Sequence, residues 1–279
     1  MRARTLAPLL LLAAGCASDF DPRSYLADLR VLALVADRPE IGFAESTTVT
    51  ARTWPEDRAA TGTWSFCPYS VGSSVGYDCV VPACEQPLPA GASVAVAPQP
   101  LTLAFAQCVQ ALGGGAGLPP GVPGAPPGRV ETVVRYTVRD AAGAVTREAV
   151  LRLPVTYPDP PASPNHNPVI LRVEIDGQAV LPPSGGAPAR LVRGGKLPVR
   201  AVLDAPEITS GGTPEGSVLS FYATAGRFDF DRAIGPDGSA ELEGKELVAG
   251  VTTAQIWVVA RDLRGGQAVA GPFDVEVQP

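Results

Sequence analysis

Gly72-Ser73-Ser74-Val75-Gly76 has the G-x-S-x-G spacing that can hold a nucleophilic serine on a strained turn between a strand and a helix, with a histidine placed to take its proton. The surrounding sequence does not supply that setting. The pentapeptide lies between Cys67 and Cys79 in a turn-rich stretch, and the only histidine, His166, stands between two asparagines in a run of prolines. Ser74 therefore reads as a chance match and His166 as a solvated polar residue. Asp229, Asp231, Asp237 and Gly238 offer hard oxygens of the kind calcium prefers, but their spacing fits no EF-hand loop. They read as carboxylates in surface turns. Glycines 113–117 are followed by prolines where a phosphate loop requires a helix. No catalytic residue, metal ligand or cofactor is expected.

The cysteines carry more information. Arg2 and Arg4 precede an apolar run over residues 6–14, which is too short to span a bilayer. The run ends in Ala13-Ala14-Gly15-Cys16, which resembles the lipobox of bacterial lipoproteins, although leucine is the commoner residue where Ala13 stands. The resemblance implies that the Cys16 thiol receives a diacylglyceryl group, that residues 1–15 are removed, and that the new amine is acylated. Residues 16–26 would then be a tether, and the partner it implies is a membrane reached through the lipid anchor. Ala17 and Ser18 follow the cysteine and Asp19 comes third, which in that family resembles outer-membrane sorting. The alternative is an ordinary secretory signal cut at an Ala-x-Ala site, with Cys16 lost.

Cys67, Cys79, Cys84 and Cys108 are an even set in an exported chain, which suggests two disulfides with three possible connectivities. Local pairing, Cys67 with Cys79 and Cys84 with Cys108, is the expectation. Zinc is the alternative, but paired C-x-x-C knuckles and a nearby histidine are both missing.

The elements that must position these residues are short. Long helical periodicity is absent, and runs of Val, Leu, Thr and Ala alternate with turn residues, the pattern of an all-β sandwich. Leu29-Arg30-Val31 opens one apolar run and Leu171-Arg172-Val173 another. Later in each half comes Arg-Asp-x-x-Gly, at Arg139 and Arg261, between two strand-like runs. Val134, Tyr136 and Val138 alternate with Val133, Arg135 and Thr137. Ile256, Val258 and Ala260 take the matching inward places before a hairpin turn. The same alternation puts Val169, Leu171, Val173 and Ile175 on one inward face, and Leu197, Val199, Ala201 and Leu203 on another. In the first half residues 31–35 and 47–53 take those roles. Central strands are expected at 61–67, with Trp64 buried, and at 217–224.

Taken together the halves, residues 27–156 and 169–279, resemble the immunoglobulin-like and polycystic-kidney-repeat-like modules of bacterial surface lipoproteins. No cysteine lies near residues 47–53 or 133–138, so the inter-sheet disulfide of antibody domains is absent. Residues 157–168, YPDPPASPNHNP, read as a semi-rigid spacer and domain boundary, across which the halves should touch less than they would if joined by glycine and serine alone. Residues 68–128 read as a disulfide-stapled insertion ending in a mobile Gly/Pro loop, within which 93–110 is open between strand and helix.

Formal net charge is −6, and becomes −8 once Arg2 and Arg4 are removed with the signal. An acidic body of this kind argues against nucleic acid and against anionic membrane surfaces as partners. The functional expectation is a non-catalytic, lipid-anchored envelope protein with a binding, adhesive or structural role and a protein or glycan partner. An accessory or polysaccharide-binding component of an exported enzyme or transport system is the alternative, and an exposed aromatic stripe would favour it.

Overall fold

Val- and Thr-rich runs broken by turn residues favour pleated strands with one buried face, and the computed structural model is built almost entirely of them. It describes residues 24–55, 62–73, 76–112, 128–181, 188–209, 212–245 and 247–279. Residues 1–15, Cys16, Ser74 and the Gly/Pro run over 113–127 lie outside these.

The first half contains β1 (Arg30–Ala36), β2 (Ile41–Gly42), β3 (Thr47–Trp54), β4 (Thr63–Cys67), β5 (Gln86–Leu88), β6 (Ser93–Val96), α1 (Pro98–Ala111), β7 (Gly128–Arg139) and β8 (Thr146–Tyr157). One sheet has the order β1-β3-β6 and the other β2-β8-β7-β4-β5, with β2 parallel to β8. The second half contains β9 (Ile170–Ile175), β10 (Gln178–Leu181), β11 (Ala189–Val192), β12 (Lys196–Leu203), β13 (Ser217–Ala223), β14 (Arg227–Phe228), β15 (Arg232–Ile234), β16 (Asp237–Glu243), β17 (Thr253–Asp262) and β18 (Gln267–Gln278). Its sheets run β10-β9-β12-β16-β14 and β11-β18-β17-β13-β15, with β11 parallel to β18. Strand for strand, β1-β3-β6 corresponds to β9-β12-β16, and the second sheets match in the same way. The chain is two immunoglobulin-like β-sandwiches built on one plan.

Each sandwich has its own core. Val134, Tyr136 and Val138 are buried with Trp64 and Phe66 in the first, and Ile256, Val258 and Ala260 with Phe221 and Leu219 in the second. The Trp64 ring lies 4.3 Å from Tyr136 between centroids, and its Nε1 donates to the Gly91 carbonyl at 2.8 Å. Both Arg-Asp turns close alike: Asp140 accepts from the Val145 amide (3.1 Å), and Asp262 from the Gly266 amide (2.8 Å).

Four expectations are corrected. Val169 and Leu171 are about half exposed rather than inward. A register shift where Val202 and Leu203 meet β9 breaks the alternation and packs Ile170 toward the core instead. Residues 68–128 are not simply an insertion: β5 pairs with β4, and β6 pairs with β3 as part of the sandwich. Residues 93–110 divide into strand β6 and helix α1, entered through Pro98 at its first turn. The tether drawn over 16–26 ends earlier. Leu26 is buried, its amide donates to the Ala223 carbonyl, and the Ala223 amide donates to the Ser24 carbonyl, both at 2.9 Å.

The fourth correction concerns the spacer, which does not hold the halves apart. β17 buries both its faces: Ile256, Val258 and Ala260 inward, Trp257 and Val259 outward against Leu26, Leu32 and Ala33. A bulge in β1 between Val31 and Ala33 lets Leu32 and Ala33 face Trp257 and Val259 while Leu34 and Ala36 stay in the first core. Trp54 meets Trp257 edge-on at 6.4 Å, and Arg261 donates to the Leu32 carbonyl at 2.6 Å. Proline rigidity fixes the spacer's course without saying where that course leads, and it leads into contact.

Candidate functional site

The stapled lobe is the first candidate. Cys67 is bonded to Cys79 and Cys84 to Cys108, with 12 and 24 residues of separation. In α1, Pro98, Thr102, Phe105 and Ala106 are buried at the spacing of one helical face. Phe105 and Val133 pack with Cys67, Cys79 and Cys84, flanked by Tyr69 and Tyr77, so the lobe is a small core laid on the outer face of β4 and β7. This is why Val133 is buried although it alternates with the inward residues Val134, Tyr136 and Val138. Burial also pushes the Tyr69 hydroxyl above its ordinary pKa. Arg135 clips lobe to sheet, donating to Glu85 (3.3 Å), to the Tyr77 carbonyl (3.3 Å) and to Glu148. Val71, Val80, Leu103 and Leu112 stand exposed on the lobe's surface.

The second candidate is the polar rim of the junction between halves, which the sequence did not disclose. Glu40, 4% exposed, accepts from Arg129 on β7 (2.8 Å), from the Asn165 amide of the spacer (2.9 Å) and from Arg264 of the second half (2.8 Å). The Asn165 side chain, also buried, donates to Asp262 at 3.0 Å. Arg264 is shared with Glu207 (3.5 Å) and Glu215 (3.7 Å), and His166 pairs with Glu207 at 2.6 Å. Glu215 Oε1, Asn165 Oδ1 and Ser217 Oγ accept or donate no hydrogen bond among the described residues. Burial, then the nearby Asp262 charge, push the Glu215 carboxyl up to about 7. Beside it lies a cavity of about 180 Å³ lined by His166, Glu207, Glu215, Ser217 and Asp262. Among the described residues no three His, Cys, Asp or Glu side chains group closely enough to hold a metal ion.

Of the residues singled out for chemistry, Ser74 lies outside the described residues, and His166, Asp229 and Asp237 each bond to partners of their own. Gly72 and Gly76 border a turn in which the Tyr77 amide bonds the Gly72 carbonyl, between Ser70 and Cys79. Among the described residues flanking it no α-helix follows, as a nucleophile elbow would require. His166 faces Glu207, while Asp229 accepts from the Phe230 and Glu241 amides and Asp237 binds Arg200. The three tryptophans form no exposed stripe, since Trp64 and Trp257 are buried and Trp54 is half-buried in the junction.

No protein-family profile and no curated relative matches the chain. Solved structures similar to it include the fibronectin(III)-like modules of Clostridium thermocellum CbhA, at 12% identity and a TM-score of 0.25, covering 90% of this chain and 93% of that one. The D00-D0 domain of intimin matches at 11% identity and a TM-score of 0.25, covering 90% of this chain and 99% of that one. Scores this low say nothing of function, and the sandwich assignment stands on the strand pairing above.

Proposed function

We propose that the chain is a non-catalytic envelope protein, held to a membrane by lipid on Cys16, that presents the stapled lobe to a protein or glycan partner on a stiff two-sandwich body. The observation that carries this reading is the junction. An apolar contact around Trp257 and a buried polar rim around Glu40 fix the halves to one another, as suits a mount more than a jointed strand of beads. The Cys84–Cys108 bond and the Phe105 cluster order the lobe, so a partner would meet a preformed surface and little ordering entropy would oppose binding. The anchor rests on the sequence from Arg2 to Cys16. Several acyl chains hold stably where one holds marginally.

Expressed in a Gram-negative cell, the wild-type chain should fractionate with membranes and Cys16→Ala should release it. Membrane retention of Cys16→Ala at the wild-type level would overturn the anchor. Protease treatment of intact and lysed cells then tells whether the lobe meets its partner outside the cell or in the periplasm.

A further inference from the structure

Ser24 is where the tether joins the described body, and it is pinned to the second sandwich, not the first. Its carbonyl accepts from the Ala223 amide at the end of β13, and Tyr25 bridges the same residue. Ser24 lines a shallow groove of about 410 Å³ whose other walls are residues 227–232. On this rim Phe230 is 71% exposed and Ile234 on the adjoining edge strand is 87% exposed, the latter the highest value among the exposed large hydrophobics. Arg227 and Arg232 are exposed beside them.

Ser24 lies eight positions after Cys16, a span that at full extension reaches about 28 Å. We infer that this rim of the second sandwich, residues 227–234 with Ser24, rests on the lipid headgroups, so that the C-terminal module is the membrane-proximal one. The inference rests on the lipid anchor proposed above. Phe230 and Ile234 supply apolar side chains for the interfacial zone, and Arg227 and Arg232 supply donors for lipid phosphates. Asp229, exposed on the same rim with its Oδ1 accepting from the Phe230 and Glu241 amides, and Asp231 in the groove balance the two arginines, so the docking draws on Phe230 and Ile234 rather than on net charge. The acidic body would not seek an anionic surface from solution. A short tether removes that requirement, because it holds the rim at an effective concentration on the order of millimolar and weak contact then suffices.

The test is hydroxyl-radical footprinting of the full lipidated chain on vesicles of phosphatidylethanolamine and phosphatidylglycerol, against Cys16→Ala in buffer. Flotation of the vesicles is measured alongside. Phe230 and Ile234 should oxidise several-fold more slowly on vesicles relative to Leu112 on the stapled lobe, and Phe230→Ser/Ile234→Ser should still float. Flotation without protection of Phe230 and Ile234, or with equal protection of Leu112, overturns the docking and leaves the anchor standing. Failure of the wild-type chain to float overturns both.

Discussion

Glu40 receives donors from three separate parts of the chain, and its loss leaves the buried Asn165 amide without its acceptor and Arg264 with only its longer contacts to Glu207 and Glu215. Glu40→Ala should cost about 2–4 kcal/mol, seen in urea denaturation, and should hasten proteolysis within residues 158–168. Glu215 makes the opposite prediction. Its folded pKa of about 7 lies above the ordinary 4.5, so the stability tied to its protonated form is whole below 4.5 and is lost as pH rises through 7. Glu215→Gln keeps the neutral shape at every pH. It should therefore resemble wild type near pH 5 and exceed it by roughly 1–3 kcal/mol near pH 8, flattening the profile of Tm against pH. A wild-type profile already flat between those values would show that Arg264 balances the charge unaided.

At the scale of elements, the turn between β17 and β18 is shaped by its contact with the other half. Gly265 has a φ of +113°, and a Cβ there would come within 2.6 Å of the Arg152 carbonyl on β8. Gly265→Ala should destabilise by about 1–3 kcal/mol and enlarge the radius of gyration in solution scattering as the turn is pushed off β8. The Cys84–Cys108 bond closes a loop with a separation of 24 residues. Losing it in Cys84→Ser/Cys108→Ser should remove about 3 kcal/mol and reduce the helical signal in circular dichroism. The strands were legible because burial with a period of two leaves a local mark, as at Leu197, Val199, Ala201 and Leu203. Leu171 was misread because the register shift at Val202 belongs to the pairing of two strands and not to either alone. Glu40, Asn165 and Arg264 left no mark, since their contacts join positions 125 and 224 residues apart. The repeated Arg-Asp-x-x-Gly signalled the turns. Only the second Gly of Gly265-Gly266, where a Cβ would strike the Asp262 carboxylate and near the His166 carbonyl, hinted that one turn was crowded.

Across the whole molecule, the junction couples two cores that could otherwise melt separately. Calorimetry of the intact body should give one transition, with a calorimetric to van't Hoff enthalpy ratio of about one. Trp257→Ala removes the ring that meets Trp54, should cost about 3–5 kcal/mol, and should divide that transition into two. Because β17 is dry on both faces, the second sandwich has no water-facing side to offer at that strand. Immunoglobulin-like units elsewhere can be copied, shuffled or lost one at a time, each carrying a complete wetted surface to its new site. Residues 169–279 carry no such surface at β17: transplanted alone, they would display Trp257 and Val259 to solvent as an open adhesive patch, so an engineer has to treat the two sandwiches as a single unit.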